Sequence, residues 1–166
     1  MIRLSVAATL AVLMAAEAWR SARNEARLRA RGAVEPPGDV YRAMQVAYPG
    51  CFLAMAIEGW LRAPTTGPVL AAGLGLLVAA KALKYWAIAS LGERWSFRVL
   101  VPPGAPLVAA GPYRLLNHPN YLGVAGELIG AALVFHATIT GTLAVLGFGA
   151  LLRQRIAVED AALRSR

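Results

Sequence analysis

The side chains with the most chemical potential crowd into Gly111–Tyr121, which holds Tyr113, Arg114, Asn117, His118, Asn120 and Tyr121 together with two prolines. Pro119 biases His118 towards an extended backbone, so the imidazole projects from a stiff bend and not from a helix face. There it can bind a carboxylate, act as acid or base, or cap the next helix. Alone, the histidine reads as a cap; Arg94, Arg98 and Arg114 with the two tyrosines and two asparagines turn the stretch into a candidate site. Further on, Arg155 and Glu159 lie four apart on one helical face. They form either an ordinary surface ion pair, worth little, or one anion-binding and one cation-binding group at a cavity mouth. Glu127 falls inside an apolar run, where a carboxylate is a functional candidate by default; a structural partnership with Lys81 or Lys84 is equally open.

Other chemistries find less support. Two histidines stand far apart without a ligand-like carboxylate spacing, so no metal site is expected. The single cysteine, Cys51, forbids an internal disulfide and reads as a small core residue. No serine or cysteine has a recognisable base beside it. Gly73-Leu74-Gly75 lacks a preceding strand and a full glycine-rich fingerprint, and reads as a helix-packing site instead of a nucleotide loop.

Positioning these residues falls to apolar elements. The 166 residues are 58% hydrophobic and 16% charged, with mean hydropathy +0.53. A soluble domain of this size has too little interior for that much apolar surface. The expected fold is an all-α integral membrane protein with about five transmembrane helices. The spans are placed at residues 4–19, 44–61, 68–91, 121–135 and 137–152, the last two forming a helical hairpin around His136. A signal peptide over 4–19 is the lesser reading, because the basic cluster follows the apolar run. Arg20, Arg23, Arg27 and Arg31 recur at helical spacing and suggest a separate interfacial helix. Glu35–Asp39 reads as a loop and 153–166 as a polar, helical tail. A single domain, 1–166, results: three spans with a basic loop over 20–42, then a connector, hairpin and tail over 92–166.

The net charge of +8 raises nucleic acid as a partner. The basic residues sit in short loops between apolar runs, however, and no basic patch is interleaved with aromatics, so no nucleic acid is expected. With the first loop cytoplasmic, only Arg3 and Arg62 of the 17 lysines and arginines fall outside, a strong positive-inside pattern. It puts connector and tail together on the cytoplasmic face of the lipid bilayer. Heavy use of Ala and Arg suggests a bacterial source, hence an inner membrane.

Gly111-Pro112-Tyr113-Arg114, then His118-Pro119-Asn120-Tyr121-Leu122-Gly123, with Arg155 and Glu159, resembles the signature of the isoprenylcysteine carboxyl methyltransferase family. Leu91–Ser96 and Pro103–Val108 further resemble a bacterial branch encoded beside type III polyketide synthases, which O-methylates alkylpyrones or alkylresorcinols. The resemblance implies a membrane enzyme that uses S-adenosylmethionine as cofactor and a lipophilic small molecule as methyl acceptor. It implies a cofactor pocket built from Ala105, Pro106, Leu107, Val108, Tyr113, His118, Pro119, Asn120, Tyr121 and Glu159, with Arg155 facing the acceptor. Asn117 departs from the pattern: the family usually has a cation there, which Arg114 or Arg98 would have to replace.

Alternatives follow from the same residues. A phospholipid amine methyltransferase would need a base such as Glu127 to take a proton from the ammonium. A sterol-reductase-like NADPH enzyme shares His-Pro-Asn-Tyr, but here Val124 follows Gly123 where a glutamate is expected. A non-enzymatic channel subunit would have no use for connector, Arg155 and Glu159 on one face.

Overall fold

The computed structural model describes every residue except Thr65, Ala105, Ser165 and Arg166. Among the described residues the protein is helical, with a single isolated antiparallel bridge, Val34 to Val101. Five helices follow in order: α1 (Ile2–Ala30), α2 (Tyr41–Leu61), α3 (Gly67–Leu91), α4 (Pro119–Phe135) and α5 (Thr138–Arg164). Short 3₁₀ turns at Gly92–Arg94 and Gly111–Arg114 bracket the connector. α1, α3 (with its 3₁₀ extension) and α5 are long and apolar enough to cross a membrane; α4 is a shorter apolar helix of 17 residues.

The expected first span and interfacial helix are one element. α1 runs 29 residues without a break, about 44 Å at 1.5 Å per residue, well beyond a hydrocarbon core of about 30 Å. Nothing between Trp19 and Arg31 breaks a helix, so the basic segment continues the rod. It stops at Gly32, whose φ of +78° suits glycine, while Ala33 N–H closes back on Leu28 O at 3.0 Å. The last span and the tail merge in the same way into the 27 residues of α5.

α3 and α4 make the most extensive helix contact. A Cβ on Gly130 would lie 3.0 Å from the Leu77 backbone nitrogen and 3.1 Å from Gly73 O. The small residues of the two helices thus bring the backbones together, as is common in membrane bundles. Gly73 takes part and Gly75 faces open space. The core gathers Phe52, Met55, Leu77, Leu128, Phe135 and Phe148, while Leu4, Val12, Leu53, Val78 and Leu146 point outward.

The two ends of the bundle differ. At one, Arg3 donates to the carbonyls of Gly59, Arg62 and Ala63 at the end of α2. There Glu58 accepts from Ile139 N–H and Thr140 N–H, at 3.1 and 2.7 Å, and so caps α5. At the other end the connector meets the basic end of α1 and the last turns of α5. Asn24 donates to Gly92 O and Trp95 O, and Glu93 pairs with both Arg27 and Arg31 at 2.6 Å. The arginine face read from the sequence is therefore used in part to hold the connector. The hairpin turn is only His136 and Ala137, since α5 already begins at Thr138; His136, in the left-handed region (φ 57°), terminates α4.

Candidate functional site

Gly111 starts the site. Its φ is +56°, and a Cβ there would fall 2.0 Å from Ser90 Oγ and 2.9 Å from Trp86 Nε1. The chain turns tightly against the end of α3, passes through the 3₁₀ turn and reaches His118, which precedes Pro119 at the first turn of α4. The His118 side chain does not cap that helix. It stacks on Tyr121, with ring centroids 5.6 Å apart, and Nε2–H donates to Asp160 Oδ1 at 3.1 Å. Tyr121 O–H donates to Glu159 Oε2 at 2.6 Å. The last turns of α5 therefore hold both rings through adjacent carboxylates.

A cavity of about 540 Å³ opens between these groups and the connector. Pro106, Leu107 and Val108 form one wall; Tyr113, His118, Glu159 and Asp160 border it too. Burial, and secondarily the Glu159 carboxylate, push the Tyr113 phenol well above its ordinary range, so it stays a neutral O–H donor. Arg94 and Arg98 also border this cavity, and Arg114 does not. Arg98 is held by Glu35 at 2.7 Å and Glu25 at 3.3 Å. Arg94 donates to Pro106 O at 2.6 Å, a carbonyl and not a carboxylate, so its charge is available to an anion.

A second cavity, about 390 Å³, lies inside the bundle between α1, α2 and the starts of α4 and the connector. Both volumes fall in the range of roughly 300–1,000 Å³ usual for small-molecule sites. The second cavity is mostly apolar, with Met14, Met44, Val124 and Phe148 in its walls. Trp95, Ser96, Asn120, Tyr121 and Arg155 border both cavities. Arg155, only 3% exposed, organises this partition. It donates to Asp39, to Phe97 O and, at 3.2 Å, to Tyr121 Oη. Asp39 also accepts from Val99 N–H at 3.2 Å.

A buried ionic cluster stands beside the second cavity. Glu17 binds Lys81 at 2.8 Å and Lys84 at 2.6 Å. Glu127 lies 3.2 Å from Lys81 and 3.4 Å from Lys84, and accepts from Tyr48 O–H. Glu17, Lys84 and Tyr48 reach the cavity wall; Glu127, with no exposed surface, borders neither cavity.

The sequence-derived site is thus largely gathered in one place. Pro106, Leu107, Val108, Tyr113, His118, Asn120, Tyr121 and Glu159 border the larger cavity. Ala105 lies outside the described residues. Pro119 is buried and shapes the turn without bordering the cavity. Arg155 faces both cavities, not the bundle side alone. Asp39, Asp160, Trp95, Tyr48 and Glu17 were not picked out. Glu17 carried a legible signal, a carboxylate in an apolar run like that of Glu127; Asp39 sits in a turn-like loop where a carboxylate is unremarkable.

Comparison with known proteins identifies the family. The profile of the isoprenylcysteine carboxyl methyltransferase (ICMT) family matches residues 73–165, from α3 through the connector to the end of α5. The chain belongs to the ICMT family. It is 32% identical over 157 residues to the uncharacterized protein YpbQ of Bacillus subtilis, covering 95% of this chain and 94% of the relative. It is 26% identical over 144 residues to an uncharacterized protein of Haemophilus influenzae, covering 86% and 84%. No solved structure matches the chain significantly. ICMT membership and three long apolar helices make it an integral membrane protein and a methyltransferase, in a family generally dependent on S-adenosylmethionine. The matched segment contains the whole shared partition between the cavities.

Proposed function

We propose that the protein transfers a methyl group from S-adenosylmethionine to an oxygen, carboxylate or acidic enol or phenol, of a lipophilic acceptor. The observation that carries this is the pair of cavities of unlike character sharing one partition at Arg155 and Tyr121. The connector cavity suits the cofactor. Glu159 and Asp160 offer negative charge to a cationic group, Arg94 offers the cation that Asn117 does not, and Pro106–Val108 with Tyr113 offer a flat apolar wall. The bundle cavity suits a lipid-soluble acceptor, which need not cross water to enter between α1 and α2.

When bound, S-adenosylmethionine supplies an electrophilic methyl on a sulfonium. The chain's own work is alignment and exclusion of water, which can contribute several kcal/mol. Tyr121 and Arg155 align the two ligands across the partition; Trp95, buried and bordering both cavities, helps close it to solvent. The amine-methylating alternative has less support, because Glu127, its candidate base, faces neither cavity. Acceptors of the alkylpyrone or alkylresorcinol type follow from the branch resemblance. The working arrangement is five spans in a bacterial inner membrane, with the connector towards the cytoplasm.

Detergent-solubilised protein is expected to bind tritiated S-adenosylmethionine and to label one class within a panel of prenylcysteine, alkylpyrone, alkylresorcinol and aminophospholipid acceptors. Preference for NADPH, or labelling of the aminophospholipid alone, would overturn the proposal.

A further inference from the structure

Four charges sit within the bundle at Glu17, Lys81, Lys84 and Glu127, with exposures of 2, 9, 2 and 0%. Charge at membrane depth is costly, and well-packed apolar residues often replace a buried ion pair with no loss of stability. Holding helices together is therefore a weak reason for two such pairs. Their placement suggests a better one. Glu17 and Lys84 lie in the wall of the bundle cavity, on α1 and α3, and Tyr48 joins them from α2. The remaining members, Lys81 and Glu127, stand behind them.

The hydrogen-bond inventory leaves capacity at this edge. Lys84 Nζ carries three N–H groups. One is used by Glu17 at 2.6 Å; Glu127 Oε1 lies 3.4 Å away without a formed hydrogen bond, and the Tyr48 ring centroid is 5.2 Å off. An ammonium with unused N–H groups in a mostly apolar cavity is a donor waiting for an oxygen. The cavity's other strong donor is Arg155, in the partition, reached through a different set of contacts.

We infer that the Glu17–Lys84 edge is a second recognition point of the acceptor cavity, selecting acceptors that carry a hydrogen-bonding oxygen besides the one that is methylated. This rests on the proposed assignment of the bundle cavity to the acceptor. Lys84 donates to that oxygen; if it is a hydroxyl, its own proton is within the chemistry of Glu17 to accept. Neither residue takes part in methyl transfer, so they are specificity determinants and not catalytic residues. The paired carboxylates keep the cluster neutral, which lets it bind an uncharged polar group without importing a counter-ion.

The test uses two alkylphenol probes of equal chain length, one with and one without a second ring hydroxyl. Their dissociation constants are measured by competition or fluorescence on the detergent-solubilised protein, alongside tritiated S-adenosylmethionine binding. The wild type is expected to bind the dihydroxy probe at least about tenfold more tightly, the worth of one good hydrogen bond to a charged donor. Glu17→Gln with Lys84→Met, a charge-balanced double change, should bring the two probes to equal affinity and leave cofactor binding unchanged. Dissociation constants are referred to the free probe concentration, so the difference in partitioning into detergent drops out of the wild-type comparison as well as of the comparison with the variant. Equal affinities in the wild type would overturn the inference even if the double variant failed to fold, and so would undiminished discrimination in a folded variant. Loss of cofactor binding by the wild type would instead sink the methyltransferase reading, which keeps the two failures apart.

Discussion

Arg155 shows how much a single residue does here. Its guanidinium joins α5 to Asp39 in the α1–α2 loop, to Phe97 in the connector and to Tyr121 in α4. Removing one member of a buried pair leaves the other charge uncompensated, at a cost of about 3–5 kcal/mol. Arg155→Met is therefore expected to lower the melting temperature and to weaken cofactor and acceptor binding together, in contrast to the one-sided acceptor role suggested by the family resemblance. Adding Asp39→Asn should restore much of the melting temperature but not turnover, because the partition still lacks its donor. Thermal melts and tritiated-cofactor binding on both variants check this. On the connector side, His118→Ala and Glu159→Ala are each expected to weaken cofactor binding at least about tenfold, the loss of one charge-assisted contact. Unchanged affinity would make both residues structural.

Glu35 contributes a pH dependence. Partial burial raises its carboxyl, but the hydrogen bonds from Arg98 and then Arg29 outweigh this and hold it below the usual carboxylate range. A carboxylate depressed in the folded state stabilises fully above its unfolded value, and that contribution fades as pH falls through the folded one. The α1–connector junction should accordingly loosen below about pH 4.5 and not on the alkaline side. Hydrogen exchange across residues 92–101 between pH 7 and 3 reads this out; Glu35→Gln should reduce the dependence, and the Glu93 carboxylate, lowered by Arg31 and Arg27, supplies the remainder.

Among the elements, α1 and the α3–α4 pair matter most. α1 is longer than a bilayer requires, and its surplus turns place Arg27, Arg29 and Arg31 against Glu93 and Glu35. The α3–α4 contact depends on missing side chains. Gly130→Val would drive methyl groups into the Leu77 and Gly73 backbones, an overpacking that typically costs about 1–3 kcal/mol. Because α4 carries Asn120 and Tyr121 at its start, the same change should also reduce cofactor binding, whereas Gly75→Ala, facing open space, should be silent in melting and binding. A silent Gly130→Val would show that the helices are not held this closely.

For the whole molecule, the ends of the bundle carry separate tasks. One is tied by Arg3 and Glu58; the other collects the connector, the end of α1 and the end of α5 around two cavities. In the proposed arrangement, which rests on the distribution of basic residues, this second end faces the cytoplasm. Reporter fusions or thiol labelling of intact cells should find the 62–67 loop outside and the connector inside; the reverse would refute the orientation while leaving the fold intact.

Apolar runs, the basic loop and the Gly111–Tyr121 motif are local patterns, and local patterns made the helices, the membrane setting and most residues lining the larger cavity legible. The same locality misled at 20–31 and 153–164, where a change from apolar to charged composition looked like a boundary although nothing in the backbone interrupts either helix. Pairings between distant segments are a different matter. That Arg155 meets Asp39, that Asp160 holds His118, and that Glu17 closes an ionic cluster with Lys81, Lys84 and Glu127 depends on helix register and crossing. Charged side chains buried away from water must find partners wherever the packing brings them, and only the tertiary structure decided which partners those were.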